Sequence, residues 1–212
     1  MKFRKFSPSH GLFFFAPMVE LVYTPDLKSG AERIVGTILK EGISMKLKHY
    51  TRTSKFDLIR DWDYSTYPPR GDKPSGFWVS VEGEDDWKSW CSNEEYYLEW
   101  IENEFDVALS ESANILTLSS VDDILKFTKE FTDSSMDNEF DISTNHEYNI
   151  AIRWSDLYSL YDGIIIAPYQ WACRLKFDTR WYYGWDVASG CIWNLDAIDS
   201  VTKHSVSVLS NA

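Results

Sequence analysis

Cysteine is scarce in this 212-residue chain: three copies (Cys91, Cys173 and Cys191) and no Cys-x-x-Cys pair. An odd, scattered set argues against a disulfide framework or a cysteine-rich zinc site and points to buried free thiols. Histidine is almost as sparse. The four copies (His10, His49, His146 and His204) form neither His-Glu-x-x-His nor His-x-His, which argues against a metal enzyme. Long apolar runs are missing as well. The longest, at residues 12–18 and 163–168, fall far short of the roughly 18 residues of a membrane span. Met1-Lys-Phe-Arg leads into no extended apolar segment with a small-residue cleavage site. The expectation is therefore a cytosolic chain with no secretory signal and no membrane partner. Dinucleotide-binding glycine fingerprints, P-loops, Gly-x-Ser-x-Gly elbows and kinase signatures are absent too, which disfavours those enzyme classes.

What the chain does have is apolar mass and tryptophan. Apolar residues make up 44% of it, enough for a sizeable core, so bulk disorder is excluded and one elaborated domain is expected. There are ten tryptophans. Trp78, Trp87 and Trp90 form one group, and Trp181, Trp185 and Trp193 another. Flat side chains with a single N–H donor suit either an aromatic core or walls that stack on a planar ligand. Charge is uneven. The total is −12, yet residues 1–60 hold 11 basic and 5 acidic groups, whereas residues 81–147 hold 19 acids against three lysines. An acidic total opposes nonspecific nucleic-acid binding, while the basic first third leaves a local nucleic-acid surface open.

Local patterning predicts strands and a helix within residues 11–40, then a strand over residues 44–51 and another over 76–81. Residues 84–102 read as a helix with Trp87, Trp90, Cys91, Tyr97, Leu98 and Ile101 on one stripe and Glu94 inside it. Strand, turn and strand follow over 105–118, Ser120 caps a helix through Phe131, and a polar loop spans 132–149. A short element at 151–159 precedes an apolar strand at 161–167, with further strands at 181–183 and 189–195. Strands and helices do not alternate regularly, so the expected class is α+β with a mixed or antiparallel sheet.

Three patches carry candidate chemistry: Leu47-Lys-His-Tyr-Thr-Arg-Thr, then Lys73-Pro-Ser-Gly-Phe-Trp-Val-Ser with the aromatic helix after it. The third joins Tyr161-Asp-Gly-Ile-Ile-Ile-Ala to Trp181-Tyr-Tyr-Gly-Trp-Asp-Val-Ala-Ser-Gly-Cys-Ile-Trp-Asn-Leu-Asp-Ala-Ile. In this order they resemble the ADP-ribosyltransferase superfamily of the diphtheria-toxin-like, His-Tyr-Glu type, over roughly residues 44–200. The resemblance implies an N-terminal extension at 1–43 and a transferase-like domain at 44–212. It also implies NAD as substrate, with His49, Tyr50, Thr51, Trp78, Ser80, Trp185 and Ser189 around it and His49 against a ribose. The family's late-strand glutamate is replaced here by Ser189, three residues after Asp186. Either Asp186 supplies the carboxylate, or Glu94 does, or nucleotide is bound without transfer. The resemblance further implies a toxin or defence effector with a macromolecular acceptor, nucleic acid preferred to protein, and an antitoxin as a further partner. An NAD glycohydrolase or a non-catalytic interaction module are the rival expectations.

Overall fold

The computed structural model describes residues 45–60, 64, 73–132 and 152–204. The elements expected within residues 11–40, the extension at 1–43 and nearly all of the loop at 132–149 lie outside the described residues.

Seven strands form one mixed sheet: β1 (Leu47–Thr51), β2 (Phe77–Val81), β3 (Asn103–Leu109), β4 (Ile115–Leu118), β5 (Gly163–Ile166), β6 (Ser189–Ile192) and β7 (Ile198–Lys203). Their spatial order is β4-β5-β6-β2-β1-β3-β7. All neighbours are antiparallel except β4 and β5, which run parallel. A parallel pair needs a long crossover. The connection from β4 to β5 contains helices α2 (Val121–Phe131) and α3 (Trp154–Tyr158). With α1 (Trp87–Glu94) these make the fold α+β.

Strand β5, Gly-Ile-Ile-Ile, is apolar because both of its faces are covered. All four residues of β5 are buried. At β6, glycine is required by neighbouring backbone: a Cβ on Gly190 would lie 2.7 Å from Ile165 Cγ1 and 2.8 Å from the Ile164 carbonyl oxygen. Ser189-Gly190 begins β6, within the strand expected over residues 189–195. Helix α2 begins where its cap lies, with Ser120 Oγ accepting from Asp123 N at 3.1 Å. Its apolar side delivers Ile124, Phe127 and Phe131 to the core.

Two expectations about elements are corrected, and one strand went unread. The helix over 84–102 is only α1, capped by Asp86 accepting from Ser89 N at 2.6 Å and ended by Glu95 at φ 50°. Leu98 begins a separate 3₁₀ turn and is exposed, and Glu94 is exposed rather than set within an apolar stripe. The strand, turn and strand expected over 105–118 are present as β3 and β4, but the two do not pair with each other: β3 pairs with β1 and β7, and β4 with β5 at the far edge. Alternation marks a strand but not its partner. Residues 181–183 belong to the 3₁₀ segment Phe177–Gly184, where Trp181 and Tyr182, adjacent in sequence, both pack inward. Finally, β7 has too few apolar residues to register as a strand, since at the sheet edge it is half-exposed.

Candidate functional site

The three sequence patches end on neighbouring strands, β1, β2 and β6, in the middle of the sheet. Register then decides which side chains share a face, because successive residues of a strand point to opposite sides. Lys48 lies opposite Ser80, Ser80 opposite Ser189, and Trp78 opposite Cys191. Tyr50, Trp78, Ser80 and Ser189 therefore share one face. His49 and Thr51 belong to the other.

On the shared face, Tyr50 packs with Trp87, Cys91 and Val187. Burial holds the Tyr50 phenol far above its ordinary pKa, so it stays protonated. Ser80 Oγ accepts from Trp87 N at 3.3 Å, and Ser189 Oγ donates to the Val187 carbonyl at 2.9 Å. Both hydroxyls are fully buried and hold local backbone. Trp78 and Trp185 lie 5.0 Å apart, tilted by 57°, and Lys73 Nζ stands 5.5 Å from the Trp78 ring centroid. Trp185 is fully enclosed and meets Trp181 and Tyr182 as well. Of the two rings, Trp78 is the one that is partly exposed.

His49 sits on the opposite face, stacked on Phe77 at 4.4 Å and tilted against Phe56 at 4.7 Å. Its Nδ1 donates to the Trp78 carbonyl at 2.9 Å. Burial lowers its pKa to about 4, with the hydrogen bond to Trp78 opposing that shift, so the ring is neutral at pH 7. A neutral imidazole wedged among phenylalanines is joined to Trp78 through backbone and does not face Ser80 or Ser189. Thr51 Oγ1 accepts from Thr53 N at 3.0 Å and shapes the turn after β1.

Asp186 follows Trp185 and is about one-quarter exposed. Its Oδ1 accepts from Arg174 Nη2 at 3.0 Å. The Arg174 guanidinium lies 5.6–5.8 Å from the ring centroids of Tyr169, Trp171 and Tyr183. Such an aromatic surround holds a cation rigidly. Arg174 is therefore part of the setting of Asp186. Its position twelve residues before Asp186 gave no sequence signal of that pairing. Glu94, exposed at the end of α1, lies outside the shared face.

A second charged group escaped sequence reasoning. The buried Lys48 donates to Glu104 Oε1 at 2.6 Å, pairs with Asp106 Oδ1 at 2.7 Å and approaches Glu82 Oε2 at 3.6 Å. Lys88 pairs with Glu104 from α1, and His204 Nδ1 meets Asp106 Oδ2 at 2.9 Å. Burial alone would lower the Lys48 pKa, but bonds and charges from Asp106 and Glu104 outweigh it and raise the net value. Glu104 and Asp106 are reciprocally held below the usual carboxylate range, against their own desolvation. A lysine at a buried strand position, in register with Asp106 and diagonal to Glu104, is the signal that finds this network.

The three cysteine thiols are free and buried. Burial pushes Cys91 up to about 12 and raises Cys173 and Cys191 as well, so none is poised as a nucleophile. Among the described residues, no group of three or more His, Cys, Asp or Glu is arranged to hold a metal ion. Among them, too, no helix is long and apolar enough to cross a membrane. No family model, curated protein or solved structure matches the chain.

Proposed function

We propose that the chain is a divergent NAD-dependent ADP-ribosyltransferase, a toxin or defence effector that modifies a macromolecular acceptor. The observation that carries this is the meeting of the three patches on adjoining strands, with Trp78 offering a partly exposed ring and Asp186 following its neighbour Trp185. The chemistry is cleavage of the nicotinamide–ribose bond through an oxocarbenium-like transition state. In it Trp78 stacks on the nicotinamide ring. Asp186, held by Arg174, presents its carboxylate to the positive charge that develops on the ribose. Ser80 and Ser189 brace the backbone beneath the site. His49 is a positioning residue: through the Trp78 carbonyl it fixes the strand that carries the stacking ring.

Titration with NAD tests the binding half of this proposal. Tryptophan fluorescence falls as NAD is added, and Trp78→Ala removes most of that change while keeping the melting temperature near wild type. Absence of both quenching and thermal shift at millimolar NAD overturns it.

A second function, nucleotide binding without transfer, is favoured by one specific arrangement. Asp186 is engaged by a guanidinium, and Ser189 occupies the family's glutamate position. That alternative predicts NAD binding with no release of nicotinamide.

A further inference from the structure

Eight large apolar side chains are exposed among the described residues, and four of them fall between β5 and β6: Trp171 (61% exposed), Leu175 (83%), Phe177 (63%) and Tyr183 (55%). The same stretch carries Arg174, Lys176 and Arg180, with Lys176 and Arg180 exposed and Asp178 the only acid between residues 171 and 184. Exposed rings and cations thus alternate along a short segment of a chain whose net charge is −12. Two of the rings have a fixed relation to a cation: the Arg174 guanidinium stands 5.8 Å from the Trp171 centroid and 5.6 Å from that of Tyr183. Trp171 is itself oriented, its Nε1 donating to Asp85 Oδ1 at 3.2 Å. In the 3₁₀ segment, Arg180 and Tyr183 are three residues apart, one turn, and so lie along the same edge.

We infer that residues 171–183 are a docking surface for single-stranded nucleic acid. Bases stack on Trp171, Phe177 and Tyr183, and phosphates pair with Lys176, Arg180 and the partly exposed Arg174. Charge complementarity selects this occupant. A protein interface centred on four exposed apolar groups would be depleted of lysine, whereas interleaved rings and cations are what a flexible polyanion with flat bases requires. A duplex keeps its bases stacked and would use the cations but not the rings. The acidic stretch 81–147, with 19 acids against three lysines, repels phosphate and disfavours contact there. Because Arg174 also holds Asp186, a strand docked here runs beside that carboxylate. Its role as the acceptor strand rests on the NAD-dependent function proposed above; the binding itself does not.

The test is fluorescence anisotropy of a labelled oligo-dT of about twelve nucleotides against the full chain without NAD. Binding should weaken with salt, with a log–log slope of about −2 for three phosphate contacts. Lys176→Gln combined with Arg180→Gln should bring that slope to about −0.7. Trp171→Ala combined with Tyr183→Ala should weaken binding at least tenfold, roughly the effect of losing one good base stack. Melting temperatures show that the variants fold; the charge pair, being exposed, supplies the decisive result if the ring pair does not. No binding at low salt, equal binding of a blunt duplex, or an affinity indifferent to the charge variants overturns the surface. Capture of an acidic protein in place of the oligonucleotide does so as well. NAD titration is scored separately: oligonucleotide binding without NAD binding leaves the surface standing and removes the transferase function.

Discussion

His49 shows how one side chain can differ from what its neighbours in sequence suggest. Between Lys48 and Tyr50 it invites a ligand role, yet alternation along β1 turns it into the phenylalanine-lined face. Its pKa of about 4 has a consequence for stability. The unfolded chain binds a proton at this residue near pH 6.5 and the folded chain does not until about pH 4. Stability from neutral His49 is therefore complete above pH 6.5 and declines as pH falls towards 4, by up to about 3 kcal/mol. Denaturant titrations of wild type and His49→Gln across this range should give a shallower pH dependence in the variant. Parallel curves would contradict the buried, neutral imidazole.

At the scale of elements, the central sheet was legible and its edges were not. Strands β1, β2, β5 and β6 and helix α2 were readable because apolar periodicity and a serine cap mark them directly. Pairing was harder to read. The crossover from β4 to β5 and the separation of β3 from β4 depend on contacts distant in sequence, and β7 lacks apolar alternation. The same limit applied to the site. Patches were identifiable one by one, but the division of His49 from Trp78 and Ser80 depends on register, and the Arg174–Asp186 pair on how residues 169–186 fold back. Register also yields a prediction at β6. Alanine at Gly190 places a Cβ against Ile165 and the Ile164 carbonyl, so β5 and β6 must separate. Gly190→Ala should cost about 2–3 kcal/mol in chemical denaturation. A loss under about 0.5 kcal/mol would mean that the strands are not so closely apposed.

Over the whole molecule, charge is distributed with purpose. Lys48 on β1 gathers Glu104 and Asp106 of β3 and Glu82 just after β2, tying three neighbouring strands together through one ammonium. Two of these carboxylates are about half exposed, so the network is worth less than a fully enclosed one. Replacing Lys48 with Met leaves its carboxylates facing each other and should lower stability by about 2 kcal/mol, with added salt restoring part of the loss. A gain in stability at low salt would show that the lysine is tolerated rather than required. Elsewhere the cations between β5 and β6 stand out in a chain of net charge −12, and one of them, Arg174, holds Asp186. The central claim is that this carboxylate takes part in breaking the nicotinamide–ribose bond. Its most direct test is release of labelled nicotinamide from NAD by the intact chain and by Asp186→Asn, each with and without single-stranded nucleic acid and cell extract. Release by the wild type, falling by about 10²–10³ in the variant while its stability changes by less than about 1 kcal/mol, is the predicted result. No release by the wild type under any of these conditions, or equal release by both proteins, would contradict it.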